Sequence, residues 1–121
     1  MKVLLSLLIS LMFLSLTGCK KTETRRWTVQ YKAMNRDAET PTYRLTYFLQ
    51  NGSTKVVGTF NTRHWESELL EGFEEGRPVQ LEIEIVSGNG AYELQVHRNG
   101  ALHEVATLSL GSKYSILEST I

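Results

Sequence analysis

One cysteine, two prolines and a single aspartate, Asp37, are all that this 121-residue sequence carries of those types, and neither charge is in excess. A lone cysteine cannot close a disulfide within its own chain, so the fold must hold by packing alone. One aspartate is also too few for a calcium loop, which draws several Asp or Asn ligands from close sequence. Thirteen basic residues balance thirteen acidic ones. That removes both the basic bias of a nucleic-acid binder and the acidity of a solvating tail. The chain also lacks Gly-x-Ser-x-Gly, His-Glu-x-x-His and a phosphate-cradling glycine loop. Without a nucleophile beside a base, or clustered ligands, the expectation is a protein that is not an enzyme and takes no metal or cofactor. Of the three histidines, His97 and His103 flank Asn99-Gly100. A two-residue loop there puts them on opposite faces, and a three-residue loop would reverse that parity.

Long apolar runs are missing except at the start. Met1-Lys2 is followed by Val3 to Leu16, apolar but for Ser6, Ser10 and Ser15, and then by Leu16-Thr17-Gly18-Cys19 and the polar pair Lys20-Lys21. A bilayer-spanning helix needs roughly twenty apolar residues, so this run fits a signal peptide better than an anchor helix. The tetrapeptide resembles a lipobox, which implies cleavage after Gly18 and acylation of Cys19. An uncleaved helix, or an ordinary signal peptide with an incidental cysteine, is the rival reading. Losing residues 1–18 leaves 103, enough for one small domain, with twelve basic against thirteen acidic residues. Acyl chains contribute about 0.8 kcal/mol per buried CH₂, so the domain is expected to be tethered to the membrane and not inserted.

Residues 19–26 read as the lipidated cysteine and a polar tether. Its Lys20, Lys21, Arg25 and Arg26 are either solvated or laid against anionic headgroups. Position 20 is Lys and not the Asp of the enterobacterial inner-membrane retention signal, which makes a periplasm-facing outer-membrane location the expectation, with the inner membrane as the alternative.

From residue 27 the pattern changes to period two. Trp27, Val29, Tyr31 and Ala33 alternate with polar residues, as do Tyr43, Leu45, Tyr47 and Leu49, then Val79, Leu81, Ile83 and Ile85, then Tyr92, Leu94 and Val96. Alternation of this kind marks half-buried strands. Trp65, Ser67 and Leu69 suit a short strand, although Leu69-Leu70 and Phe73 would also serve one helical turn. Glu74 to Pro78 is a turn, and residues 112–121 close with a strand around Tyr114, Ile116 and Leu117. Seven or eight strands with no long helix predict an all-β fold, an antiparallel sandwich over residues 27–121.

Two Asn-Gly steps, Asn51-Gly52 and Asn99-Gly100, read as two-residue hairpin loops. The first register sets Tyr47 against Val56, Leu45 against Gly58 and Tyr43 against Phe60, which leaves Phe48 and Val57 as an apolar diagonal on the outer side. The second sets Leu94 against Val105 and Val96 against His103. If Ser87 to Gly90 also closes a hairpin, Glu84 lies opposite Glu93. Like charges so placed cost up to about 1 kcal/mol, offset either by water and salt alone or by a basic neighbour such as Arg98, a cation or a basic partner surface. Phe48, Val57, Glu82, Glu84 and Glu93 are therefore the candidate partner surface, on a non-catalytic module that meets an envelope protein. The rival is a glycan- or lipid-binding sandwich, which would set Trp65 and a tyrosine side by side on the surface.

The order of these signals resembles the MmpS-like family of small exported β-sandwich proteins, which includes short Bacteroidota lipoproteins. Trp27 to Tyr31 matches its opening strand, Tyr43–Phe60 its hairpin, His64-Trp65-Glu66-Ser67 its Pro-Trp strand and Gly76–Glu82 its Gly-x-x-Val-x-Leu step. Leu94 to His103 matches its Asp-Gly hairpin, with His64, Asn99 and His103 departing from the family pattern. The resemblance implies an immunoglobulin-like architecture and, by analogy with mycobacterial relatives, an accessory role beside an RND-type lipid exporter.

Overall fold

The protein is described by a computed structural model over residues 25–121. The signal segment, Cys19 and residues 20–24 of the tether lie outside the described residues. Nine strands follow one another: β1 (Arg26–Asn35), β2 (Thr42–Phe48), β3 (Thr54–Phe60), β4 (His64–Glu66), β5 (Leu70–Glu74), β6 (Pro78–Ser87), β7 (Tyr92–Arg98), β8 (Ala101–Leu108) and β9 (Tyr114–Thr120). This is one more than the sequence pattern gives, because the stretch after His64 is two strands broken at Ser67–Leu69. Both pair with β1. Among the described residues there is no helix.

The strands form two antiparallel sheets. One runs β4-β1-β7-β8, with β5 also on β1, and the other β3-β2-β6-β9. Their inner faces make one core in which Val29, Tyr31, Ala33, Leu94 and Val96 meet Tyr43, Leu45, Leu81, Ile83 and Leu117. Period two places these residues inward, and each fully buried aliphatic side chain contributes about 1.5–3 kcal/mol.

Four tyrosines bridge the sheets. Tyr31 lies 5.1 Å from Tyr47 and Tyr43 lies 4.9 Å from Tyr92, centroid to centroid, each pair drawn from opposite sheets. Tyrosine suits this place because its ring fills the core while its hydroxyl reaches the polar perimeter. Tyr31 donates to the Phe48 carbonyl at 2.8 Å, Tyr92 to the Thr62 carbonyl at 3.1 Å and Tyr47 to Glu68, and Tyr43 shares a 2.9 Å bond with the Thr62 hydroxyl. Burial pushes all four phenols above their ordinary pKa.

The pairing is nested, with β1 on β7 in one sheet and β2 on β6 in the other. Two of the chain's five sheet changes, at residues 36–41 and 88–91, join these nested strands, and the two crossings pack together. Buried Pro41 lies against Gly88 and Gly90, and a Cβ added at Gly90 would stand 2.6 Å from the Pro41 ring. The Ser87-Gly88-Asn89-Gly90 signal is thus an arch between sheets and not a hairpin loop.

Candidate functional site

The outer face of the four-stranded sheet carries two complete rows of paired residues. Val56, Thr46, Glu82 and Ile116 form one, and Gly58, Arg44, Glu84 and Tyr114 the other. Phe48 points the same way, since Tyr43, Leu45 and Tyr47 alternate with it and are buried. Val86 is on this face two residues beyond Glu84. Val56, Val86 and Tyr114 are 62%, 47% and 53% exposed. Glu84 faces Arg44 Nη1 at 3.6 Å and Glu82 accepts from Gln80 at 2.8 Å. Partial desolvation, together with the Glu82 and Glu118 carboxylates, raises the Tyr114 phenol above its usual range. Polar and charged residues thus run down the two central strands, β2 and β6, and exposed apolar residues flank them, Val56 on β3, Tyr114 on β9 and Val86 near the end of β6.

Two of the five predicted surface residues do not belong to it. Val57 pairs with Leu45 and packs against the core. The cause is the turn. Leu49 bonds Ser53 and Gly52 N–H returns to the Leu49 carbonyl, so the loop is the three residues Gln50, Asn51 and Gly52, with only Gly52 (φ 85°) left-handed. Asn51 instead accepts from the Ser53 N–H at 3.0 Å. This shifts the register by one residue until a bulge at Gly58–Thr59 restores Tyr43 opposite Phe60. Val56 takes the exposed position expected of Val57.

Glu93 belongs to the other sheet. The arch at 88–91 separates it from Glu84, so the two carboxylates do not face each other and no continuous acidic ridge forms. Each has its own arginine, Arg44 for Glu84 and Arg36 for Glu93.

On the outer face of the five-stranded sheet, a chain of hydrogen bonds runs along β7. Arg36 Nε donates to Glu93 at 3.0 Å, Gln95 donates its amide to the other Glu93 oxygen at 2.8 Å, and the Gln95 carbonyl faces His97 Nε2 at 2.8 Å. With the Gln95 amide nitrogen committed to a carboxylate, its oxygen must accept, so His97 carries its proton on Nε2. Hydrogen bonds from Gln95 and Arg36 hold the Glu93 carboxyl below the usual range. Burial and the Lys32 ammonium lower the His97 pKa. The polar residues of strand 92–98 gave no sign of this chain, because alternation only marks them as outward.

The histidines do not meet. The Asn99-Gly100 loop has two residues as predicted, with φ 49° and 80°, and sets Arg98 against Ala101. A bulge at His103 then shifts the pairing, so Leu94 meets Ala106 and Val96 meets Glu104 in place of Val105 and His103. The bulge turns His103 toward β9, where Nε2 donates to the Thr120 carbonyl at 2.8 Å. Ser115 bonds the Thr107 carbonyl at 3.1 Å, so side chains join the two sheet edges there. Among the described residues, no group of three His, Cys, Asp or Glu side chains is placed to hold a metal ion. Nor is any helix among them long and apolar enough to cross a membrane. Trp65 does stand beside a tyrosine, but its ring lies 5.5 Å from buried Tyr47, inside the sandwich.

The described domain is thus a two-sheet all-β protein whose most apolar outer face is that of β3-β2-β6-β9. No protein-family model matches the chain, and no curated protein matches it.

Proposed function

We propose that this protein is an exported lipoprotein, acylated at Cys19, whose domain is a non-catalytic module binding an envelope protein through the outer face of the four-stranded sheet. The observation that carries the binding part is the exposure of Val56, Val86 and Tyr114 on the same face as Phe48, Glu82 and Glu84. Exposed apolar side chains on both flanks of a charged strip make one sheet face a surface that a protein partner can cover. The acidic residues between them select a partner with basic side chains facing the central strands. Anchoring raises the effective concentration of both proteins at the membrane, so a weak contact suffices. The lipobox and the Lys at position 20 support a periplasm-facing place on the outer membrane, and the MmpS-like pattern supports an accessory role beside a transporter.

For the fold, we read the domain as immunoglobulin-like in its layers. Immunoglobulin connections interleave the B–E and C–F pairs, whereas here β1·β7 encloses β2·β6, so the likeness is of architecture and not of connection order.

The test is photo-crosslinking in the source cells from Val56 and Tyr114, with Thr107 on the other sheet as control. One envelope protein captured from both positions, not from Thr107, and lost on Glu82→Lys with Glu84→Lys, supports the reading. Adducts no stronger than the Thr107 control overturn it. Intact mass after globomycin-sensitive processing reports separately on acylation of Cys19.

A further inference from the structure

One end of the sandwich combines arginines, an aromatic ring and an apolar tip, and it is the end where the chain arrives from Cys19. The Arg98 and Arg25 guanidiniums lie over the Trp27 ring, at 4.1 Å and 5.0 Å from its centroid. Trp27 Nε1 is buried without a hydrogen-bond partner. The β7–β8 turn is fastened here, Asn99 donating its N–H to the Thr28 carbonyl at 2.8 Å and accepting from the Thr28 N–H through its side chain at 2.9 Å. Glu75 N–H bonds the Arg25 carbonyl at 3.0 Å, which brings the β5–β6 turn and Arg77 alongside. Leu102, 54% exposed, follows this turn. Arg25, Arg26, Arg77 and Arg98 outnumber the carboxylate side chains of Glu74 and Glu75, and Lys20 and Lys21 precede them in sequence against one Glu23. Arg25 and Arg98 are engaged by the indole, and no ion pair is made by either among the described residues.

Reach settles which end is near the bilayer. Six peptide links from Cys19 to Arg25 span at most about 20 Å. A ten-residue strand such as β1 is about 33 Å long. The opposite end, where Asp37, Glu39, Asn89 and Leu110 line a shallow depression of about 380 Å³, lies beyond the tether's length. We propose that the Arg25–Trp27–Arg98 end docks on the anionic headgroups of the bilayer that holds Cys19. The sandwich then stands on that end, with Leu102 at the interface, the strands running along the membrane normal and the outer sheet faces looking sideways over the membrane plane. The inference rests on the acylation of Cys19. Its chemistry is general: basic residues are attracted to an anionic surface, and indole favours the headgroup layer.

The experiment uses the lipidated mature protein in vesicles. Once acylated, the Cys19 thiol no longer reacts with maleimide, so a single added cysteine reports local access. Ala101→Cys marks the docking end and Ser112→Cys the far end. Replacing roughly a third of a phosphatidylcholine bilayer by phosphatidylglycerol is expected to slow labelling of Ala101→Cys by a charged maleimide about fivefold or more, leaving Ser112→Cys unchanged. Arg25→Gln with Arg98→Gln, or high salt, should restore the rate, and salt leaves the sequence untouched should the double variant fold poorly. Protein that floats with the vesicles but labels equally at both sites in both lipids keeps its anchor and overturns the docking. Protein that neither floats nor shows an acyl mass overturns the anchor and the docking with it.

Discussion

Tyr47 donates its hydroxyl to one carboxylate oxygen of Glu68 at 2.8 Å, while Lys55 Nζ stands 3.2 Å from the other. The contact ties β2 and β3 to the segment between β4 and β5, and thereby one sheet to the other. Partial desolvation of Glu68 opposes its charge, but the bonds from Tyr47, its own backbone and Lys55 outweigh that and hold its carboxyl below the usual range. A carboxyl depressed in the folded state contributes stability that is present above its unfolded pKa and lost as pH falls through the folded one.

Glu68→Gln should therefore lower the urea midpoint at neutral pH, and the gap from the parent protein should shrink as pH drops through the carboxylate range. Glu68 is half-exposed, so the neutral-pH loss is small, about 0.5–1 kcal/mol. A gap that stays constant or widens on acidification would show that the carboxylate charge is not what holds this contact.

Two of the sheet-changing segments, 36–41 and 88–91, meet at Gly90 and Pro41. An added Cβ at Gly90 would come within 2.6–2.7 Å of the Pro41 ring and 3.3 Å of Tyr92. Gly90→Ala is expected to cost about 1–3 kcal/mol, the usual penalty for overpacking a tight site. Gly111→Ala is strained by its own positive φ but meets nothing within 4 Å, so it serves as the comparison. A loss at Gly90 below about 0.5 kcal/mol in chemical denaturation would remove the packing explanation.

The strands themselves were legible because burial follows alternation. Val79, Leu81, Ile83 and Ile85 are all buried, and so are Tyr43, Leu45 and Tyr47. What alternation leaves open is which strand lies beside which. Ser-Gly-Asn-Gly has the composition of a hairpin loop, yet here the glycines let one crossing pack on Pro41, and only the partner's position distinguishes the two uses. Asn-Gly was ambiguous for a related reason. At Asn99-Gly100 both residues take positive φ, whereas at Asn51-Gly52 only the glycine does. One residue of difference in loop length turns a whole strand over, which is why Val57 and not Val56 was expected outside. The Glu82 and Glu84 positions survived because β6 is set by its own alternation and needs no turn to orient it.

His97 should titrate below an ordinary histidine, since burial and then Lys32 disfavour its imidazolium, against weaker opposition from the Gly100 backbone and Glu66. A depressed folded pKa means that the neutral ring is the stabilising form. That contribution is present above the unfolded pKa and fades as pH falls through the folded one. Lys32→Gln should raise the His97 midpoint, read from its ring C–H resonances by NMR. An unchanged or lower midpoint would exclude Lys32 as a cause.

The register of the first hairpin can be decided by a pair of neighbouring substitutions. Val57 faces the core opposite Leu45, and Val56 is exposed opposite Thr46. Val57→Asp places a carboxylate against apolar neighbours, where it must stay charged without partners or be protonated. A loss of about 2 kcal/mol or more is expected. Val56→Asp stays in water, and its effect should be within about 0.5 kcal/mol. A two-residue turn at Asn51-Gly52 would reverse the order, because the β3 side chains before the bulge would change faces. Thermal or urea denaturation of the two variants therefore reads the register directly. The Val56 variant, folded as the parent is, then tests binding: its new charge sits on the proposed partner face, so crosslinking from Tyr114 should fall while stability holds.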